Sequence, residues 1–245
     1  VQHIALNDYE DALLARLYDA EYDGADSDLG FYLERLVPGP VLELASGTGR
    51  LAVRLAERGR RVVGLDASRA MLARAHTRPG GADVRWCAGD MTDFALGEHF
   101  ANILVPFSGL AFLTTAESRG RCLACCRRHL APGGLLVVDL FNGTQPTASG
   151  TITAGRPVID PQTGEVFLKS AAVDHAPGLV VIRYRWHSPA LALEQTLRLA
   201  VLDRAAVEAE LEAAGFLPLE VLGDYRGGPY TARSPRLLLL AAAAD

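Results

Sequence analysis

Apolar positions recur along this 245-residue chain in two rhythms, and the rhythm changes past its middle. In the first part, short apolar runs alternate with stretches of helical spacing. Apolar side chains at 13, 14, 17 and 18 within Glu10–Tyr22 predict a helix. Asp28 stands where an N-cap belongs, before a helix through Leu36 that Pro38 and Gly39 close. VLEL (41–44) predicts a short buried strand, Arg50–Arg58 a helix stopped by Gly59, and RVVGLD (61–66) a second strand. Ser68 caps a helix to His76, and VRWCAGD (84–90) and FANILVPF (100–107) are the third and fourth strands. A helix over Ala116–Leu130 is stopped by APGG (131–134), and LLVVDLF (135–141) is the fifth strand. Strand–helix–strand at this pace builds right-handed parallel crossovers and a sheet covered on both faces. The fold class is α/β, doubly wound and Rossmann-like, with ligands expected at the carboxyl ends of the strands.

The rhythm changes after Asn142. GTQPTASGTITAGRP (143–157) is turn-rich and reads as a mobile loop. Runs over 164–174, 179–187 and 192–202, separated by APG and SPA, alternate with period two and predict an antiparallel meander. A helix Asp203–Ala214, capped by Asp203, then leads to LPLEVLG (217–223) and RLLLLAA (236–242), the last two strands. Residues 1–245 therefore read as a single domain, with 151–202 as a β-meander insertion.

Composition narrows the function. With 24 basic against 29 acidic residues, a net charge of −5 and no basic block, the chain is not expected to bind nucleic acid. Its longest apolar run, Leu237–Ala244, is far too short for a membrane span. The first ten residues are mixed and polar, unlike a signal peptide, so a cytoplasmic location is expected. Cys122, Cys125 and Cys126 in CLACC read as small apolar helix residues; with His129 alone nearby they make a poor zinc set, and no metal is expected.

The chemistry concentrates where VLEL meets ASGTG. Gly47 and Gly49 permit a sharp turn and close approach of a ligand, and the following helix aims free N–H groups at it. Asp66, ending the next strand, suits the two hydroxyls of a ribose. The spacing also satisfies the dinucleotide pattern GxGxxA, which leaves an NAD(P)-dependent oxidoreductase as a rival. Two residues argue against it. Glu43, just before the loop, repels a pyrophosphate and suits a cationic ligand. Asp90, in GDMTDF, is placed to accept from an adenine amino group, with Met91 against the ring.

The chain here resembles the class I S-adenosylmethionine-dependent methyltransferases, in their bacterial small-molecule branch. The matching stretches are VLELASGTGRLAVRLAERG (41–59), VVGLDASRAML (62–72), AGDMTDF (88–94), VPFSGLAFLT (105–114) and RRHLAPGGLLVVDLFN (127–142). The resemblance implies a seven-stranded sheet with an antiparallel last strand, and S-adenosylmethionine as cofactor. Carried over by position, Glu43, Gly47 and Gly49 line its methionine end, Asp66 binds the ribose, and Asp90 and Met91 hold the adenine. Ala45, Thr48, Ala67, Met71 and Gly89 are further expected cofactor contacts. Pro106, Phe107 and Ser108 border the sulfonium and the acceptor. Tyr18 and Tyr22 match a lid helix, or are core packing. Three departures stand out. A common first loop glycine is Ala45, tolerable at negative φ. FANI lacks the Asp that often begins the fourth strand. Phe112 stands where many members carry His. A non-catalytic protein that keeps the cofactor pocket is thus a further alternative.

For the acceptor, LVVIRYRWH (179–187) puts Tyr184 and Trp186 on one face and Arg183, Arg185 and His187 on the other. Either the aromatic face is packed and the arginine face wet, or one of them meets an acceptor. His175, His187 and Tyr18 are the candidate bases; Phe107, Ser108, Phe112, Tyr184, Trp186, Arg183 and Tyr225 are the candidate acceptor contacts. The partner expected is a small molecule methylated at O or N, such as a natural-product intermediate, and the assembly a monomer or homodimer.

Overall fold

The computed structural model describes residues 2–7, 9, 11–22, 24–143, 150–152 and 157–244. Two sheets organise the chain. The larger contains β2 (Val41–Leu44), β3 (Val62–Asp66), β4 (Arg85–Ala88), β5 (Phe100–Val105), β6 (Leu130–Phe141), β12 (Phe216–Leu222) and β13 (Arg236–Ala243), in the order β12-β13-β6-β5-β2-β3-β4. Strands β2 to β6 pair in parallel, and β13 runs antiparallel between β6 and β12. This is the seven-stranded sheet the sequence implies. Crossover helices α3 (Arg50–Glu57), α4 (Arg69–Thr77) and α5 (Ala116–His129), with α2 (Leu29–Arg35) and α6 (Arg204–Ala213), cover its faces.

Alternation along each strand divides the core. Leu42, Leu44, Ile103, Val105, Leu136 and Val138 pack with α5 and α6. Val41, Val62, Leu104 and Val137 pack with α2 and α3. Glu43 shares the second face with Val41, a carboxylate buried where its neighbours are apolar. Ser68 Oγ accepts from Met71 N at 3.1 Å and Asp203 Oδ1 from Ala206 N at 2.8 Å, caps contributing about 1 kcal/mol each. Cys122, Cys125 and Cys126 are buried on α5 as free thiols. The APGG stop is not a chain break between elements. β6 begins at Leu130, and its register against β5 skips from Phe100↔Leu130 to Asn102↔Leu135, so 131–134 bulge out.

The second sheet holds β9 (Val166–Ala176), β10 (Leu179–His187) and β11 (Leu191–Ala200), the expected meander, and three strands the periodicity did not reveal. These are β1 (Gln2–Asn7), parallel to β11, and β7 (Gly150–Ile152) and β8 (Pro157–Ile159), both antiparallel to β9. The loop expected over 143–157 thus includes strand residues; 144–149 and 153–156 lie outside the described residues. Helix α1 (Ala12–Tyr22) packs Leu14 and Leu17 on Phe167, Trp186 and Leu193 of this sheet. The turn Gly109–Phe112, at the carboxyl end of β5, packs on β11. The second sheet is thereby set over the ligand edge of the first. Among the described residues no helix is long and apolar enough to cross a membrane.

Candidate active site

The loop after β2 turns through three positive φ angles, 51° at Ala45, 55° at Gly47 and 78° at Gly49. The expectation of negative φ at Ala45 is therefore corrected. Its methyl group tolerates the left-handed region, at a cost of about 1–2 kcal/mol, beside Gly109, where an added Cβ would lie 3.1 Å from it. The two glycines do different work. A Cβ on Gly47 would meet nothing within 4 Å, so this position faces open space. A Cβ on Gly49 would lie 2.4 Å from the Trp86 ring. Gly49 has no room for a side chain because an indole from β4 occupies the notch. Asp66 braces the turn, accepting from Gly47 N at 2.7 Å and Ser68 N at 2.8 Å.

Beside this loop lies a cavity of about 30 Å³, walled by Glu43, Ser46, Thr48, Arg50, Tyr18 and Phe107, among others. Four buried side-chain polar atoms lack a hydrogen-bond partner among the described residues: Glu43 Oε2, Ser46 Oγ, Thr48 Oγ1 and Trp186 Nε1. Three of the four belong to this one cavity. Each orphan costs about 1–3 kcal/mol, which a polar ligand offsets. Burial pushes the Glu43 carboxyl up to about 8; Arg50 opposes the shift, while Asp28 and Asp66 add to it. Asp28 occupies the N-cap position of α2, as the sequence predicted, but its side chain makes no capping bond. Its carboxylate grips Arg50 instead, Oδ1 at 2.8 Å and Oδ2 at 2.5 Å. A buried two-point ion pair outweighs one capping bond.

A run of aromatic rings includes two on the cavity wall, Tyr18 and Phe107. Tyr18 and Tyr22 centroids are 4.7 Å apart, Tyr22 and Phe107 5.4 Å, Tyr9 and Tyr18 5.6 Å, and Tyr9 and Phe112 6.3 Å. Burial raises Tyr18 to about 12, which keeps it a neutral phenol and weighs against its use as a base. Ion pairs fasten α1 on three sides: Arg16–Asp160 at 2.8 Å, Asp19 with both Arg74 (2.7 Å) and Arg78, and Glu21–Lys169 at 2.6 Å. The Lys169 ammonium stands 3.9 Å from the Tyr184 ring and 4.6 Å from Trp186.

The loop after β5 is also strained, with φ of 51° at Phe107 and 66° at Ser108. Asp139 on β6 fixes it. Its Oδ2 accepts from Phe107 N at 2.9 Å and its carbonyl from Ser108 N at 2.8 Å. Ser108 Oγ accepts from Phe141 N at 2.9 Å, tying this loop to the end of β6. The Tyr225 hydroxyl donates to Asp139 at 2.9 Å, and Arg236 pairs with the same carboxylate. Tyr225 is thus brought to the base of this loop, apart from Tyr184. Pro106 is buried on the cavity wall.

The residues expected on the adenine side cluster at the neighbouring strand ends. Asp90 is exposed and accepts from Thr92 N at 2.7 Å, and Met91 packs half-buried on the core. Gly89 N donates to the Asp66 carbonyl at 3.0 Å; Ala67 is exposed and Met71 buried. In the second sheet Trp186 is packed against α1, while Arg183 faces outward and pairs with Asp174. His187 shares that outer face, whereas His175 lies with Lys169 on the inner one. Tyr9, Ser46, Arg50 and Asp139 were not singled out from sequence. Asp139 had a signal, an acid inside the apolar run LLVVDLF, which demands a buried partner.

A parallel sheet whose ligand loop presents a buried carboxylate, orphaned hydroxyls and a ribose-type acid defines a binder of a cationic nucleoside without a diphosphate. The comparisons agree. The family described as "Methyltransferase domain" matches residues 41–134. The cypemycin N-terminal methyltransferase of a Streptomyces species is 31% identical over 212 residues, covering 82% of this chain and 81% of that one. The dTDP-3-amino-3,4,6-trideoxy-alpha-D-glucopyranose N,N-dimethyltransferase of Streptomyces venezuelae is 31% identical over 136 residues. That match covers 55% of this chain and 56% of the relative, so the chain spans little more than half of it. Among solved structures, SAM-bound CalS10, an amino pentose methyltransferase from Micromonospora echinaspora, is similar at a TM-score of 0.73 and 26% identity, covering 93% of this chain and 97% of that one. The chain belongs to the S-adenosylmethionine-dependent methyltransferase family.

Proposed function

We propose that the chain transfers methyl groups to an amine nitrogen of a small natural-product or sugar substrate, and that 1–245 act as one domain with the 151–202 meander as acceptor wall. The observation that carries this reading is the run of rings from Phe112 through Tyr9, Tyr18 and Tyr22 to Phe107, two of which, Tyr18 and Phe107, wall the cavity. Aromatic faces attract ammonium groups and exclude water. The relatives named above are each described as acting on an amine or on an amino sugar.

S-adenosylmethionine supplies a methyl carbon already activated by its sulfonium. Glu43 holds the ammonium of its methionine end, Asp66 the ribose hydroxyls and Asp90 the adenine amino group. The rings align the amine for in-line attack, a positioning effect that reaches about 7–11 kcal/mol at its upper end. A protonated amine must first lose a proton before it can attack. The test is a matched pair of acceptors, a nucleotide-linked amino sugar and its hydroxyl counterpart, incubated with methyl-labelled cofactor. Label in the amino sugar alone is expected. Label in the hydroxyl compound overturns the nitrogen assignment, and failure to bind S-adenosylhomocysteine overturns the whole reading.

A further inference from the structure

We infer that Arg50 is the anchor for the carboxylate of the bound cofactor's methionine end, held in position by Asp28. The inference rests on the cofactor assignment above and adds a residue to it. The amino-acid end of the cofactor carries an ammonium and a carboxylate on one carbon. A wall of one sign would hold the first and repel the second. The cavity has a group for each: the buried Glu43 carboxyl, which takes an ammonium once ionised and whose Oε2 has no partner among the described residues, and the Arg50 guanidinium.

The donors of Arg50 can be counted. A guanidinium has five N–H groups. Three are used: Nη1 donates to Asp28 Oδ1 at 2.8 Å and to the Ala25 carbonyl at 2.5 Å, and Nη2 to Asp28 Oδ2 at 2.5 Å. The Nε–H and the second Nη2 hydrogen have no hydrogen bond among the described residues. The side chain is 11% exposed and its Cζ lies 5.7 Å from the Phe107 ring centroid, so its orientation is fixed before any ligand arrives. Asp28, 3% exposed at its side chain, is released from helix capping to do this. Pre-orientation of this kind lowers the ordering cost of binding.

The test compares two ligands by calorimetry on the full chain. One is S-adenosylhomocysteine; the other is its decarboxylated analogue, which keeps the ammonium and lacks the carboxylate. Wild type is expected to prefer the first. Arg50→Gln is expected to weaken S-adenosylhomocysteine by about 10- to 100-fold, the range for charge-assisted hydrogen bonds, and to leave the analogue unchanged within about threefold. Arg50→Lys, which keeps the charge but not the fork, is expected to fall between, and it replaces the glutamine variant if that one does not fold. Equal losses for both ligands would show Arg50 acting only as a tie between α2 and α3, and would overturn the inference. So would equal affinity of wild type for the two ligands. Binding of neither ligand by wild type overturns the cofactor reading itself, an outcome separate from these.

Discussion

The glycine-loop half of the molecule and the second-sheet half spend their charges in opposite ways. Around the loop, buried polar groups stand unsatisfied on a cavity wall, and Glu43 is held protonated by its surroundings. In the second sheet the charges are matched on the protein itself: Arg183 with Asp174, Arg185 with Glu194 at 2.8 Å, and Lys169 with Glu21. Unmet demand marks the cofactor end. The second sheet keeps one orphan among the described residues, Trp186 Nε1, beside pairs satisfied on the protein itself.

Substitutions can sharpen this contrast. The largest effect is expected for Gly49→Ala. It combines left-handed strain with a Cβ on Trp86, a loss of about 3 kcal/mol or more, measurable as a lowered denaturant midpoint. Gly47→Ala, with open space around it, should lose only about 1 kcal/mol. Comparable losses at both would refute the assignment of Trp86 as the filler. Next is Asp66→Ala, which removes the brace on Gly47 and, on the proposed reading, a ribose contact; S-adenosylhomocysteine affinity should fall by about 100-fold by calorimetry.

Glu43 gives a pH test whose sign is fixed. On the proposed reading its carboxyl must ionise to take the cofactor's ammonium, and burial in the free site pushes it up to about 8. Cofactor affinity should therefore rise with pH by roughly 50-fold from pH 6 to pH 8, with proton release below pH 8. Stability of the ligand-free protein runs the other way. The folded state keeps a proton that the unfolded state gives up near pH 4.5, so stability is full below that value and declines as pH rises towards 8. Glu43→Gln should flatten both profiles. An affinity profile level from pH 6 to 8 in wild type would contradict the burial argument. The smallest effect is expected for Arg183→Ala on the wet face of β10, within about 0.5 kcal/mol of wild type and with unchanged cofactor affinity.

Much of the first half was legible because its signals are local. VLEL, VVGLD and LLVVDLF are strands by apolar run alone, and Ser68 and Asp203 cap helices by a rule spanning three residues. What the sequence hid is long-range. β1 exists by pairing in parallel with β11, nearly the whole chain away. Asp28 looks like a cap by local rule, and only the fold brings Arg50 to it. Asn102 in FANI, where the resemblance led one to seek an acid, instead clamps the Val37 backbone through both its Oδ1 and Nδ2 at 2.9 Å. Tyr9 enters the run of rings from a stretch that read as merely mixed and polar.

Trp86 carries an implication for motion. One indole takes the place of two side chains, since added methyls at Gly49 and at Gly64 would both strike it. It is supplied by β4, the outermost strand, which has β3 as its single neighbour. The glycine loop thus leans on an edge strand. Fraying of that strand withdraws one keystone from two places together, so hydrogen exchange in β4 reports on the readiness of the loop.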